Sequence, residues 1–200
     1  MALELIVVMN GIFSLLFFTI NSFIGLKIAY KYRAYRDKIL LYVGFVWIGM
    51  GKPWLASSVS FIVLLLTGIV ISAFLYIVLN FVLISMVVIV WFIAVNSLIS
   101  LSGYKVVFPL FSLCVIIFDV FIFYFLFTEI EMLAVYVNPV DMDLGILLIV
   151  YLFINLVVFI VLGFLFAANS LRSENPEVKL KGKFLLLAFI LYLLGAALHI

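Results

Sequence analysis

Apolar residues fill this chain in long unbroken runs, and the few polar and charged positions fall between them. Whole stretches of more than about 20 residues carry no charge, the pattern of transmembrane helices. Membrane β-strands would alternate apolar and polar positions over about ten residues, whereas these runs are apolar on every side. The pattern predicts helices over about 4–30, 39–67, 70–102, 106–128, 139–171 and 176–200. A kink is expected in the second near 51–53, where "GMGKPW" sets Gly49, Gly51 and Pro53 around a lysine. Proline removes a backbone donor there and frees the carbonyl of Gly49. Two helix starts are written as Asn-Pro. In one, Asn138 is the N-cap, Pro139 the first helical residue, and Asp141 and Asp143 sit near the positive end of the helix. In the other, Asn175 and Pro176 are followed by Glu177, which stands four residues before Lys181.

The fold class that follows is all-α, a polytopic transmembrane helix bundle in one domain, 1–200, with six helices visible. The sixth rises only roughly 25 Å between Phe184 and Ile200, against a hydrocarbon core of about 30 Å. A seventh helix is therefore expected in the intact protein. The start, "MALELIVV", lacks the basic opening of a signal peptide, and the apolar run after it is too long for one.

Charge fixes the expected orientation. Lys27, Lys31, Arg33, Arg36 and Lys38 follow the first helix, and Arg172, Lys179, Lys181 and Lys183 lie between the fifth and sixth. Two crossings between Lys38 and Lys105 put ten of the eleven Lys/Arg on one side, Lys52 excepted; three would place the basic clusters on opposite faces. The positive-inside rule selects two. It predicts a cell-membrane protein with its N-terminus outside and the basic loops 31–38 and 172–183 in the cytoplasm. Tyr30, Tyr32, Tyr35, Tyr42 and Tyr104 gather at the same interface, and Glu129, Glu131, Asp141 and Asp143 make the opposite loop acidic.

Composition agrees with a membrane chain: 70% hydrophobic and 10% charged, with mean hydropathy +1.52. A soluble domain is about a quarter charged. A single cysteine, Cys114, and a single histidine, His199, offer neither a disulfide nor a metal cluster. Protease, hydrolase and phosphate-loop motifs do not occur, so no catalytic residue, metal or cofactor is assigned. The expected partners are membrane lipids and other membrane subunits or further copies of the chain, with no nucleic acid.

Candidate chemistry centres on "CVIIFDVFIFYF", residues 114–125, where Asp119 stands alone among apolar neighbours. It lies 14 residues from Lys105, roughly 21 Å deep at helical rise. An ionised carboxylate there costs about 2.5–3.5 kcal/mol on insertion scales, so it needs a partner, a proton or a polar interior. Lys52, 14 residues from Lys38, reaches the same depth and is the expected partner; Ser112 shares the Asp119 face. A second pattern is a polar stripe of Asn10, Ser14 and Asn21, continued by Gly25, along the first helix. Such residues glue helices together or line a polar cavity.

Three stretches carry a resemblance: "FVWIGMGKPWLASSVSFIVLL" (45–65), "FYFLFTEIEMLAVYVNPVD" (123–141) and "LRSENPEVKLKGKFLLLAFI" (171–190). They resemble a family of uncharacterised archaeal multi-pass membrane proteins of the Asgard type. The family's proline, two tryptophans, proline and two serines read here Pro53, Trp54, Leu55, Ala56, Ser57 and Ser58. The resemblance implies a seven-helix fold in an archaeal membrane and brings no activity with it. Function is read three ways. The leading expectation is a seven-helix sensor or receptor-like module. The alternatives are a small transporter or ion-conducting protein built on Lys52 and Asp119, and a structural subunit of a membrane complex.

Overall fold

The computed structural model describes residues 4–82 and 84–197, and side chains as far as residue 192. Its helices are α1 (Leu5–Tyr30), α2 (Tyr32–Tyr35), α3 (Ile39–Gly49), α4 (Leu55–Thr67), α5 (Ala73–Asn80), α6 (Ile84–Ile99), α7 (Tyr104–Thr128), α8 (Ile146–Leu171) and α9 (Pro176–Ala197). Among the described residues five segments are long and apolar enough to cross a membrane: 5–35, 39–67, 73–99, 104–128 and 146–171. The sixth predicted segment forms α9, which opens on charged turns and is not among those five. His199 and the end of that segment lie outside the described residues, as do the side chains of Gly195, Ala196 and Ala197.

Packing runs in sequence across the bundle. α1 lies against α3 and α4; α3 lies against α6; α6 contacts α7 and α8; α9 lies on α8. The third crossing, α5 with α6, is thus the interior element, and Val88, Trp91, Ala94 and Val95 of α6 are buried at its heart. α7 keeps most of its surface on the outside, with only Phe111, Val115, Ile122 and Leu126 buried. The α1–α3 contact depends on glycine. A Cβ on Gly25 would stand 2.6 Å from the carbonyl oxygen of Gly44, and one on Gly44 would stand 2.7 Å from that of Gly25. Only hydrogen at both positions lets the two backbones approach so closely.

Two expectations are corrected. The predicted helix start at Asn138 and Pro139 is a β-hairpin: β1 (Ala134–Asn138) pairs antiparallel with β2 (Asp141–Leu144), a small two-stranded sheet beside the helices. Asn138 caps the hairpin turn, its Oδ1 accepting from the backbone N–H of Val140 at 3.0 Å. "AVYVN" is β-branched and aromatic, with Tyr136 turned to the interior and Val135 and Val137 outward. That alternation favours strand over helix. Asp141 and Asp143 consequently lie on β2, and α8 begins later, after Gly145. The second correction is that the predicted helix 70–102 is interrupted between Asn80 and Ile84.

By contrast, Asn175 does start a helix. Its side chain accepts from the N–H of Glu177 at 2.9 Å, and its carbonyl accepts from Lys179. Glu177 and Lys181 then meet at 2.7 Å on the exposed face.

Candidate functional site

The kink predicted at 51–53 interrupts the α-helix with a turn of 3-10 helix, while the backbone stays right-handed helical at Met50, Gly51, Trp54 and Leu55. Residues Lys52–Trp54 form a single 3-10 turn between α3 and α4. Pro53 has no N–H to continue the ladder, and Trp54 anchors the turn by packing on Phe17, ring centres 4.2 Å apart. A new helix start leaves its first N–H groups without intrahelical partners. Asn80, at the end of α5, supplies one: its Oδ1 accepts from the N–H of Ala56 at 2.7 Å, with both groups buried.

The third crossing breaks at the same level. After Asn80 the N–H groups of Phe81 and Val82 both turn back to the carbonyl of Ile77, and the α5 ladder ends. Its last carbonyls need donors. Lys52 provides them, with Nζ donating to the carbonyl of Leu79 at 3.0 Å and of Val82 at 2.6 Å. Each break therefore caps the other: the lysine of one ends α5, and the asparagine of the other starts α4. A cation at the C-terminal end of α5 also opposes the negative end of the helix dipole.

Asp119 sits on the far side of the second break. Its Oδ2 accepts from the Ser85 hydroxyl at 2.6 Å and its Oδ1 from the Tyr151 hydroxyl at 2.9 Å. The Tyr151 oxygen accepts in turn from the Ser85 N–H at 3.1 Å, closing a triangle at the start of α6. Ser85 and Tyr151 are fully buried. The carboxylate thus lies beside a helix N-terminus, where negative charge is favoured. Two donated hydroxyl hydrogen bonds favour the ionised carboxylate.

The expected Lys52–Asp119 ion pair does not form. The lysine is taken up by the carbonyls of Leu79 in α5 and Val82 just after it, and the aspartate by hydroxyls of α6 and α8. Among the described residues the one ion pair is Glu177–Lys181. The physical reason is the broken helix, whose two unsatisfied ends compete successfully for the two charges. Ser112 does not join Asp119 either; its hydroxyl is buried without a hydrogen-bond partner. Asn155, one turn beyond Tyr151, donates to that residue's carbonyl at 2.9 Å and leaves its own side-chain oxygen unpartnered.

Above the interlocked breaks a buried polar column continues to the hairpin. The Tyr76 hydroxyl meets Ser57 Oγ at 2.7 Å and donates to the carbonyl of Val140 at 3.1 Å. Ser60 donates to the carbonyl of Pro139, and Tyr136, on the hairpin, donates to the carbonyl of Ile71. Val140 is wholly buried, packed with Val7, Phe61 and Leu64.

The stripe of Asn10, Ser14 and Asn21 lies elsewhere. Ser14 donates to Asn10 at 3.3 Å and Asn21 donates to the Phe17 carbonyl at 2.8 Å, both bonds internal to α1. Two cavities stand out. One of about 430 Å³ opens at the basic end beside Asn96, Ser100, Tyr104 and Lys105. A second of about 130 Å³ is walled by Trp47, Trp91, Phe159 and Phe189. Neither is lined by Lys52 or Asp119. Among the described residues no cluster of three potential metal ligands occurs.

Comparison with family models, with curated proteins and with solved structures returned no match. The site is therefore defined by its geometry. Sequence reasoning named Asp119, Lys52 and the Pro53 break but missed Ser85, Tyr151 and the capping role of Asn80. Intramembrane hydroxyls and amides were the available signal. Which helices would face one another was not written in their spacing.

Proposed function

We propose that this protein is a small multi-pass membrane transporter that moves protons, with Asp119 as the group that gains and loses them. The observation that supports this is the pair of abutting helix breaks. One is capped by Lys52 on the carbonyls of Leu79 and Val82, and Asp119 sits at the opposite lip with Ser85 and Tyr151. An uninterrupted apolar helix would span a bilayer at lower cost, because every interrupted ladder leaves polar groups that lipid cannot satisfy. Broken helices beside intramembrane charges are the usual way carriers build an ion site. Both oxygens of the half-buried Asp119 accept hydrogen bonds from hydroxyls of two other helices.

In the proposed setting the chain lies in the cell membrane with its N-terminus outside. Loops 31–38 and 172–183 then face the cytoplasm, and the hairpin Ala134–Leu144 faces out. Surrounding lipid is its partner, and the archaeal resemblance supplies the setting. The receptor-like expectation draws on helix count, short loops and the lack of catalytic motifs, and the broken helices beside Asp119 favour transport over it.

The test is proton flux in proteoliposomes. A potassium diffusion potential set with valinomycin drives protons inward, and a trapped pH dye reports them. Wild type is expected to acidify the lumen at least tenfold faster than protein-free vesicles, and Asp119→Asn to fall to the protein-free rate. Equal rates for wild type and Asp119→Asn would overturn the proposal.

A further inference from the structure

The hairpin is held in two unlike ways. Its base is anchored in the bundle: Leu133, Ala134 and Met142 are buried in one cluster with Tyr76, Ile77, Leu126 and Leu148. Its tip, Asn138–Val140, crosses to a separate small cluster formed with α1 and α4. Between base and tip the strand register is irregular, shifting between Tyr136 and Asn138. Among the described residues the tip is bound to the helices by two polar contacts, Ser60 to the Pro139 carbonyl and Tyr76 to the Val140 carbonyl, together with the packing of Val140.

Beneath that tip runs the polar column. Tyr76 carries the Val140 contact and also the Ser57 contact, one turn of α5 before Asn80. Asn80 caps α4, and Lys52 caps α5 immediately below. The tip thus covers a row of buried polar groups, Tyr76, Ser57 and Asn80, that leads from the hairpin end to the interlocked breaks. The residues that hold the tip, Ser60 and Tyr76, belong to the two half-helices, α4 and α5, that the breaks set free from α3 and α6.

We propose that residues 138–140 are the gate of this path. The tip lifts from Ser60 and Tyr76 about the irregular register at 136–138, while the base stays packed. Lifting opens the Tyr76–Ser57 column to water from the hairpin side. This rests on the transport reading, because a gate needs a path to close.

Leu64 gives a direct readout. It lies under Val140 and is 5% exposed. In a Cys114→Ala background, Leu64→Cys is treated with a membrane-impermeant methanethiosulfonate reagent on intact proteoliposomes. Slow labelling is expected at rest, and at least tenfold faster labelling when Tyr76→Phe or Ser60→Ala removes a latch. An imposed proton gradient is expected to speed labelling as well. An unchanged labelling rate in both latch variants and under the gradient would overturn the gate. Proton flux measured on the same vesicles separates the two claims. Asp119-dependent flux with a protected Leu64→Cys sinks the gate and leaves transport standing. Latch-dependent labelling without Asp119-dependent flux sinks transport and leaves a movable tip.

Discussion

Lys52→Met should destabilise the protein by about 2–4 kcal/mol. The substitution keeps the length of the side chain and removes the ammonium that serves Leu79 and Val82 at 3.0 and 2.6 Å. Each interior carbonyl left without a donor costs about 1–3 kcal/mol, so the pair sets a gross loss of about 2–6 kcal/mol. Against this stands relief from holding a charge away from water, which runs to several kcal/mol for a fully buried ion. Lys52 is half-buried, so the relief is partial and the loss dominates. Total stabilities are about 5–15 kcal/mol, and the effect is a large share of that. Equilibrium unfolding in mixed micelles titrated with sodium dodecyl sulfate measures it, with Lys52→Arg as a control that keeps charge and donors and loses less. A Lys52→Met protein within about 0.5 kcal/mol of wild type, or more stable than it, would refute the claim that this lysine exists to close α5.

Asn80→Leu removes the cap from Ala56 and is expected to cost about 1–3 kcal/mol in the same titration. Combined with Lys52→Met the losses should be less than additive, because the two caps hold one joint. Gly25→Leu should separate α1 from α3 and destabilise by at least about 1–3 kcal/mol, since its Cβ meets a backbone oxygen that cannot yield. The Glu177 carboxyl should titrate below the ordinary glutamate value, held there first by the hydrogen bond from Lys181 and then by that residue's charge. Its contribution is present above the unfolded value and disappears as pH falls through the depressed folded one. Carboxyl chemical shifts in wild type and Lys181→Ala test this, and an unshifted midpoint between the two would contradict it. For orientation, a cysteine at Ser173 should react with impermeant reagent only from the cytoplasmic side.

The long apolar runs made the helices legible, because period and length survive without any knowledge of tertiary contacts. The Pro53 break was legible for the same local reason: a missing N–H is a property of one residue. The interruption after Asn80 was not. Nothing in "YIVLNFVLISM" forbids a continuous helix, and the break is stabilised by Lys52, 27 residues earlier. The hairpin was misread because Asn-Pro opens a helix or turns a hairpin equally well. The strand alternation around it decided the matter only once Tyr136 had an interior to face. Asp119 was visible as an isolated charge. Its partners on α6 and α8 depended on helix neighbours that a single chain does not spell out.

The closing of two breaks on one another also explains why Lys52 and Asp119, expected at one depth, do not touch. They neutralise opposite ends of a single interruption: the lysine takes the carbonyl end of α5 and the carboxylate takes the start of α6. Protonation of Asp119 would weaken the hold of Ser85 and Tyr151 on it and loosen one side of that joint. In the proposed cycle this would link a proton on the carboxyl group to movement of the half-helices that carry the hairpin latches.

A hydrophobic carbodiimide reaches the central claim most directly, because it reacts with a protonated carboxyl group in an apolar setting and spares an ionised one in water. Mass-spectrometric mapping of the adduct is read beside proton flux in the same vesicles. The account predicts modification at Asp119 and loss of flux in proportion to the fraction modified. Flux that persists with Asp119 fully modified, or an Asp119 that stays unmodified while flux is abolished, would contradict it.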